Sequence, residues 1–327
     1  MPIEIDCENA IWTVRFLADG EHIVSGGIKG KIQCWRVSDG KEVGEPMDAG
    51  RAVYSIAVSQ DGKWIVSGLS GGKVVVWNAE TREKVNEFQG HYDEARAVDI
   101  SSDGTKIVSG SDDCTVCVWS LSTGQRLLGP FEHAGGIVTQ VKFSPDGRRI
   151  ATSTYSIAMV SRSSDELLPG SQESVRIYDS QNGYLLVDFP IVPSNRPFAW
   201  SNDSKQLFIL SRDGRIHHLN VSTKTTFSEW DTHSINCPNR RCIALSSNGA
   251  FIAASAGSSV SLWDTTTHNQ IGSLLHLSHD ILSMAISENY DLVTGGDTRV
   301  TLRSFLDTVS PPYIDDHVGD LRRTLDT

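Results

Sequence analysis

Residues 95–131 read ARAVDISSDGTKIVSGSDDCTVCVWSLSTGQRLLGPF. Ala95–Ser101 alternates apolar and polar residues into a turn; Lys106–Gly110, Thr115–Trp119 and Gln125–Phe131 follow. Each run is short, rich in Val, Ile, Thr and aromatics, and bounded by Gly, Asp and Ser, which is the pattern of strands joined by tight turns. Apolar residues at helical spacing are absent. Four such strands make one small sheet, and one small sheet leaves both of its faces exposed.

The same signature recurs along the chain. Turns of the Asp-Gly type stand at Asp19-Gly20, Asp61-Gly62, Asp103-Gly104, Asp146-Gly147, Asp203-Ser204, Asn248-Gly249 and Asn289-Tyr290. Successive turns are 42, 42, 43, 57, 45 and 41 residues apart. A second landmark follows each turn, at Trp35, Trp77, Trp119, Tyr178, Leu219, Trp263 and Arg303. Seven units are thus marked twice. Stacking their sheets radially buries each face against a neighbour, so the repeat length and strand count predict an all-β, seven-bladed propeller of four-stranded antiparallel blades.

Composition agrees. The chain has 327 residues, 39% apolar and 21% charged, which excludes a disordered protein, a coiled coil and a collagen. No stretch approaches the roughly 18 apolar residues of a membrane-spanning helix. The start, MPIEIDCENA, has no basic or apolar signal region. With six cysteines, this gives an expectation of reduced thiols in the cytoplasm or also the nucleus. The net charge of −11 opposes nucleic acid and anionic lipid on average.

Ile107–Trp119 (IVSGSDDCTVCVW), Ser144–Ser153 (SPDGRRIATS) and the dipeptide Gly90-His91 resemble tryptophan-aspartate (WD40) repeats. The resemblance runs from about Ala10 to Val309. The wording VGEP…SPDGRRI is similar to fungal WD-repeat proteins, including propellers that sit behind NACHT-type NTPases. What it implies is a His–Ser/Thr–Asp–Trp hydrogen-bond network in each blade. The third repeat supplies it as His91, Ser109, Asp113 and Trp119. Elsewhere the pattern departs: Lys29 and Gly71 stand in Asp positions, and Tyr178, Leu219 and Arg303 replace Trp. The propeller is therefore expected to rest mostly on apolar packing between blades. The resemblance further implies that one terminus supplies an outer strand to close the ring, with Ile3–Ile5 placed to pair beside Thr301–Phe305.

The expected organisation is a propeller over residues 1–309, with an insertion at 155–174 in blade four, and a C-terminal tail over 310–327. Aligning the repeats puts Trp12, Tyr54, Arg96, Thr139, Arg196, Arg241 and Leu282 in one column at the top entrance. Glu94, Asp112, Arg212 and Arg240 lie in neighbouring top loops. Arg and aromatic side chains dominate binding hot spots. Arg196, Arg212, Arg240 and Arg241, on blades five and six of an acidic protein, suggest a basic patch for an acidic or phosphorylated motif. The competing reading pairs them with Asp203, Asp213 and Asp231.

No catalytic, cofactor or metal residues are assigned. Cys114 and Cys117 face opposite sides of a strand and Cys237 and Cys242 sit on another blade, so zinc is disfavoured. One of His217 and His218 is expected between sheets. The function expected is a non-catalytic scaffold that binds a protein or peptide partner on the top face, within a multiprotein complex. A propeller hydrolase or lyase is the alternative, and a nucleic-acid binder is a weaker one.

Overall fold

The computed structural model describes residues 2–133, 136–156, 174–190, 197–211, 213–232 and 241–304. Their regular structure is entirely β: 28 strands form seven four-stranded antiparallel sheets in a seven-bladed ring. The inner strands are Ile11–Phe16, Val53–Val58, Ala95–Ile100, Gly136–Phe143, Phe198–Trp200, Arg241–Leu245 and Ser283–Ile286. In blades one to six the chain runs from the inner strand outward.

The second landmark proves to be one structural position repeated. Trp35, Trp77, Trp119, Tyr178, Leu219, Trp263 and Arg303 pair across the sheet with Ile23, Ile65, Ile107, Ile150, Leu207, Ile252 and Leu292. All seven repeats are therefore in register, including those with no tryptophan.

The core lies between blades. Seven apolar clusters fill the seven blade boundaries. One joins Val24, Ile32 and Met47 of blade one to Val53, Ile56 and Trp77 of blade two. Another joins Ile5, Val293, Val300 and Leu302 of blade seven to Val14, Ile23 and Trp35 of blade one. Each fully buried Val, Ile or Leu contributes about 1.5–3 kcal/mol. Close approach requires the glycine of the Val-Ser-Gly run. A Cβ on Gly110 would collide with Val138 Cγ1 of the next blade. Hydroxyls add a belt near the axis: Ser283, Thr13 and Ser55 accept the backbone N–H of Val14, Ile56 and Val98 in each following blade.

The N-terminal strand closes the ring. Ile3–Asp6 pairs with the last strand, Arg299–Ser304, as Ile3↔Leu302, Glu4↔Thr301, Ile5↔Val300 and Asp6↔Arg299. Arg299 also meets Asp6 at 2.9 Å and Glu4 at 3.2 Å, exposed contacts of small energetic value. In blade four the second strand runs on through Tyr155 and Ser156, and Ser174 opens the third, so both ends of the expected insertion are strand. The rest of that insertion, and the tail 310–327, lie outside the described residues.

The blade-three network is complete. His91 Nε2 and Ser109 Oγ are 2.7 Å apart, His91 Nδ1 and Asp113 Oδ2 3.1 Å, and Trp119 Nε1 donates to Ser109 Oγ at 2.8 Å. Blades one and two keep the indole–serine half, Trp35 to Ser25 and Trp77 to Ser67. Blade four carries a variant that sequence reading missed. His133 Nε2 lies 3.2 Å from Tyr178 Oη and 3.5 Å from Thr152 Oγ1, while Arg176 Nη1 donates to His133 Nδ1 at 3.4 Å. Burial, reinforced by Arg176, pushes the His133 imidazole down to about 3. Blade seven keeps the polar residues without the bonds. Among the described residues, Thr294 Oγ1, Thr301 Oγ1, Arg303 Nε and both His279 ring nitrogens are buried with no hydrogen-bond partner.

Candidate functional site: the mouth and waist of the channel

The top column is built by backbone irregularity. In blades one to four the inner strand slips register by one residue, between Ile11 and Thr13, Val53 and Ser55, Ala95 and Ala97, and Val138 and Gln140. The skipped residues are Trp12, Tyr54, Arg96 and Thr139. A bulge of this kind leaves its extra residue unpaired and re-aims the side chain.

Three of these side chains form a ladder. The Trp12 and Tyr54 rings stack with centroids 4.9 Å apart at 23°. Arg96 lies over the Tyr54 ring with its Cζ 4.8 Å from the centroid. Arg96 Nε and Nη2 then donate to Asp112 Oδ1 and Oδ2 at 2.6 and 2.7 Å, a bidentate pair. That pair holds the guanidinium above its usual pKa against the opposing effect of burial. Glu94 Oε2 accepts the backbone N–H of Gly71 at 2.8 Å, joining blade three's loop to blade two.

Trp12, Tyr54, Arg96, Thr139, Arg241 and Leu282 line one chamber of about 210 Å³ at this mouth. The expected column is therefore assembled, with one member missing: Arg196, like Arg212 and Arg240, lies outside the described residues. Arg241 Nη1 donates to Ser211 O at 2.6 Å. Asp203 and Asp213 accept from Ser201 and Ser211 on their own turns. His218 packs between sheets against Phe208 at 4.5 Å, as the strand alternation predicts, while His217 lies near Glu229.

Sequence reading missed the next level down. Three residues below the bulges of blades one, three and four stand Arg15, Asp99 and Lys142. Their strand partners, Val24, Val108 and Ala151, occupy equivalent positions, so the three share one height. The other four blades place alanine there: Ala57, Ala199, Ala244 and Ala285. Below lies a second chamber of about 490 Å³, and Arg15, Asp99, Gln140 and Lys142 line both chambers, which makes them the waist. Burial pushes Asp99 above the usual carboxylate range, with Lys142 and the Phe143 N–H opposing. Burial lowers Lys142 and Arg15, with Asp99 opposing. The signal was present in sequence, as the third residue beyond each member of the top column.

Among the described residues there is no group of three or more His, Cys, Asp or Glu placed to hold a metal ion, and no helix long and apolar enough to cross a membrane.

A comparison with curated proteins gives no match. The family model for the WD domain, G-beta repeat, matches at residues 4–36, 45–78, 82–120, 125–165 and 225–264, together more than half of the chain. Each match begins at or near an outer strand of one blade and runs into the inner strands of the next, so repeat and blade are offset by one strand. The stretches left unmatched include Leu219 and Arg303, two of the positions without tryptophan. Seven blades in register, an offset repeat and these matches establish that the chain belongs to the WD40 repeat family.

Proposed function

We propose that the protein is a non-catalytic scaffold that holds a peptide segment of a protein partner across the top mouth of its channel. WD40 propellers are generally protein-interaction scaffolds, and that coarser statement applies to this chain. The observation that carries the finer reading is the Trp12–Tyr54–Arg96–Asp112 ladder. Three bulges on three blades deliver a rigid aromatic surface with a buffered guanidinium at one mouth. Aromatic rings offer large contact area with few rotatable bonds, and Arg adds planar hydrogen bonding.

Arg241, across the same chamber, supplies positive charge opposite the aromatics. With Arg196, Arg212 and Arg240 nearby in sequence, the motif favoured is acidic or phosphorylated. The compartment proposed is cytoplasm or nucleus. The five described cysteines are free, and burial pushes the thiols of Cys7 and Cys117 up to about 11.

The test is an array of acidic, phosphorylated and neutral peptides probed with the wild-type protein, Trp12→Ala, Tyr54→Ala and Arg240→Glu/Arg241→Glu. The reading expects retention of acidic sequences by the wild type. It expects at least a tenfold loss in the aromatic variants and a selective loss of acidic peptides on charge reversal. Indifference of every peptide to all three variants would remove it.

A further inference from the structure

The waist of the channel gathers charge of both signs. Lys142 and Arg15 bring two cations to one level, and Asp99 brings one carboxylate, in a chain whose overall charge is −11. Among the described residues Lys142 Nζ makes no direct hydrogen bond or ion pair, and Asp99 acts on it through space. Arg15 uses Nη1 on Val14 O at 2.7 Å and on Ser283 Oγ at 3.2 Å, which leaves Nε and Nη2 unengaged. Asp99 Oδ2 accepts the Phe143 N–H at 2.8 Å and the Ile100 N–H also acts on the carboxyl, which, with about four acceptor sites when ionised, has room for a further donor. Gln140 is fully engaged with Phe198 of the next blade. Ser283 Oγ accepts from Val14 N and from Arg15, so its own proton remains to be donated.

We propose that this waist binds a tetrahedral oxyanion that carries its own O–H, the hydrogen phosphate ion or a phosphomonoester in its monoanionic form, which gains weight below the second phosphate pKa of about 6. Lys142, Arg15 and the Ser283 hydroxyl supply donors for its unprotonated oxygens, as charge-assisted bonds in a half-buried setting. The Asp99 carboxylate accepts the hydrogen bond of the P–OH group. That last contact sets the selectivity. Sulfate has the same shape and charge near neutral pH but no proton to give, so it meets Asp99 as a repelling charge. The four alanines at the same height leave the space: at about 30 Å³ per water in the liquid, the 210 Å³ chamber above has room for a group of this size. The inference goes beyond the top-face reading and stands without it, because no waist residue belongs to the aromatic ladder.

The chemistry has two sources, a free phosphate ion or a phosphoserine side chain reaching down from the mouth. Isothermal titration and thermal shift with inorganic phosphate, sulfate, a phosphoserine peptide and its unphosphorylated form separate them. Binding of inorganic phosphate at least tenfold tighter than sulfate is expected. A phosphoserine peptide tighter than inorganic phosphate assigns the site to a partner's side chain, and the reverse order assigns it to the free ion. Lys142→Met should weaken phosphate at least tenfold, and Asp99→Asn should bring the phosphate-to-sulfate ratio towards one. Because a waist variant can fail to fold, phosphorus NMR of inorganic phosphate with the wild-type protein serves as a second measurement, expected to show line broadening that added sulfate does not reverse. Absence of phosphate binding by the wild type at millimolar concentration, or equal binding of sulfate, would overturn the proposal.

Discussion

The indole Nε1 of Trp119 donates to Ser109 Oγ at 2.8 Å, and because an indole N–H can only donate, Ser109 is the acceptor in this contact. At the other end of the relay the Asp113 carboxylate can only accept, so it faces a proton on His91 Nδ1 at 3.1 Å. In the neutral ring Nε2 is then the acceptor, and Ser109 donates its own proton to it across 2.7 Å. Burial acts to raise the Asp113 carboxyl, but the bonds from His91, Thr115 and the Tyr92 N–H outweigh it and hold it well below the usual range. Trp35 and Trp77 make the same contact with Ser25 and Ser67, and among the described residues no histidine bonds either serine.

Trp119→Ala should therefore be worse than Trp35→Ala. Loss of a large buried aromatic costs about 3–5 kcal/mol at either site. At Trp119 the Ser109–His91 relay loses its anchor as well, adding about 1–3 kcal/mol. Urea unfolding of the two variants measures the difference, and equal losses would contradict the relay.

The acid limb of stability should trace to His133. Its folded pKa, about 3, lies below the unfolded value near 6.5, so the unfolded chain binds the proton first. Stability is fully present above about pH 6.5 and declines as pH falls towards 3, by roughly 5 kcal/mol at most. Asp113, depressed in the folded state, adds a second loss below the unfolded carboxylate value near 3.9. His133→Gln should flatten the slope between pH 6.5 and 4 in denaturant titrations. An unchanged slope would assign the acid sensitivity elsewhere.

Blade seven offers a repair. Thr294 occupies the place that Ser109 holds in blade three, and Arg303 stands where the tryptophan would. Arg303→Trp should give Thr294 Oγ1 an indole donor and remove the unpartnered Arg303 Nε from the blade. The expected gain is about 1 kcal/mol, or a Tm rise of about 2–4 °C by calorimetry. A fall in Tm would show that Arg303 supports the blade in another way.

Removing residues 2–6 should unpair the last strand, Arg299–Ser304, and expose a sheet edge. Hydrogen exchange should then accelerate first in residues 291–304, with Tm lowered and self-association raised. Protection unchanged in that segment would mean that the N-terminal strand is dispensable for closure.

Much of the ring was legible in sequence because a turn and a large side chain mark each repeat at a fixed strand position. The register at Leu219 and Arg303 shows why the count survives loss of tryptophan: the apolar partner opposite, Leu207 or Leu292, keeps the position. The His133 network was not legible, because that histidine lies six residues ahead of its bulge residue, Thr139, where His91 lies five ahead of Arg96. The waist was hidden for a different reason. Arg15, Asp99 and Lys142 are far apart in sequence and meet only because a closed ring brings equal heights together. The bulges that build the aromatic ladder add one residue to an alternation, which composition does not register.

The offset between repeat and blade has a consequence in time. Ile3–Asp6 is made well before the strand it must join, which ends at Ser304. At about 5–20 residues per second, a ribosome needs roughly 15–60 s to pass from one to the other. For the whole of that interval Ile3 and Ile5 wait without the strand that will cover them, which makes this segment the natural handle for a chaperone.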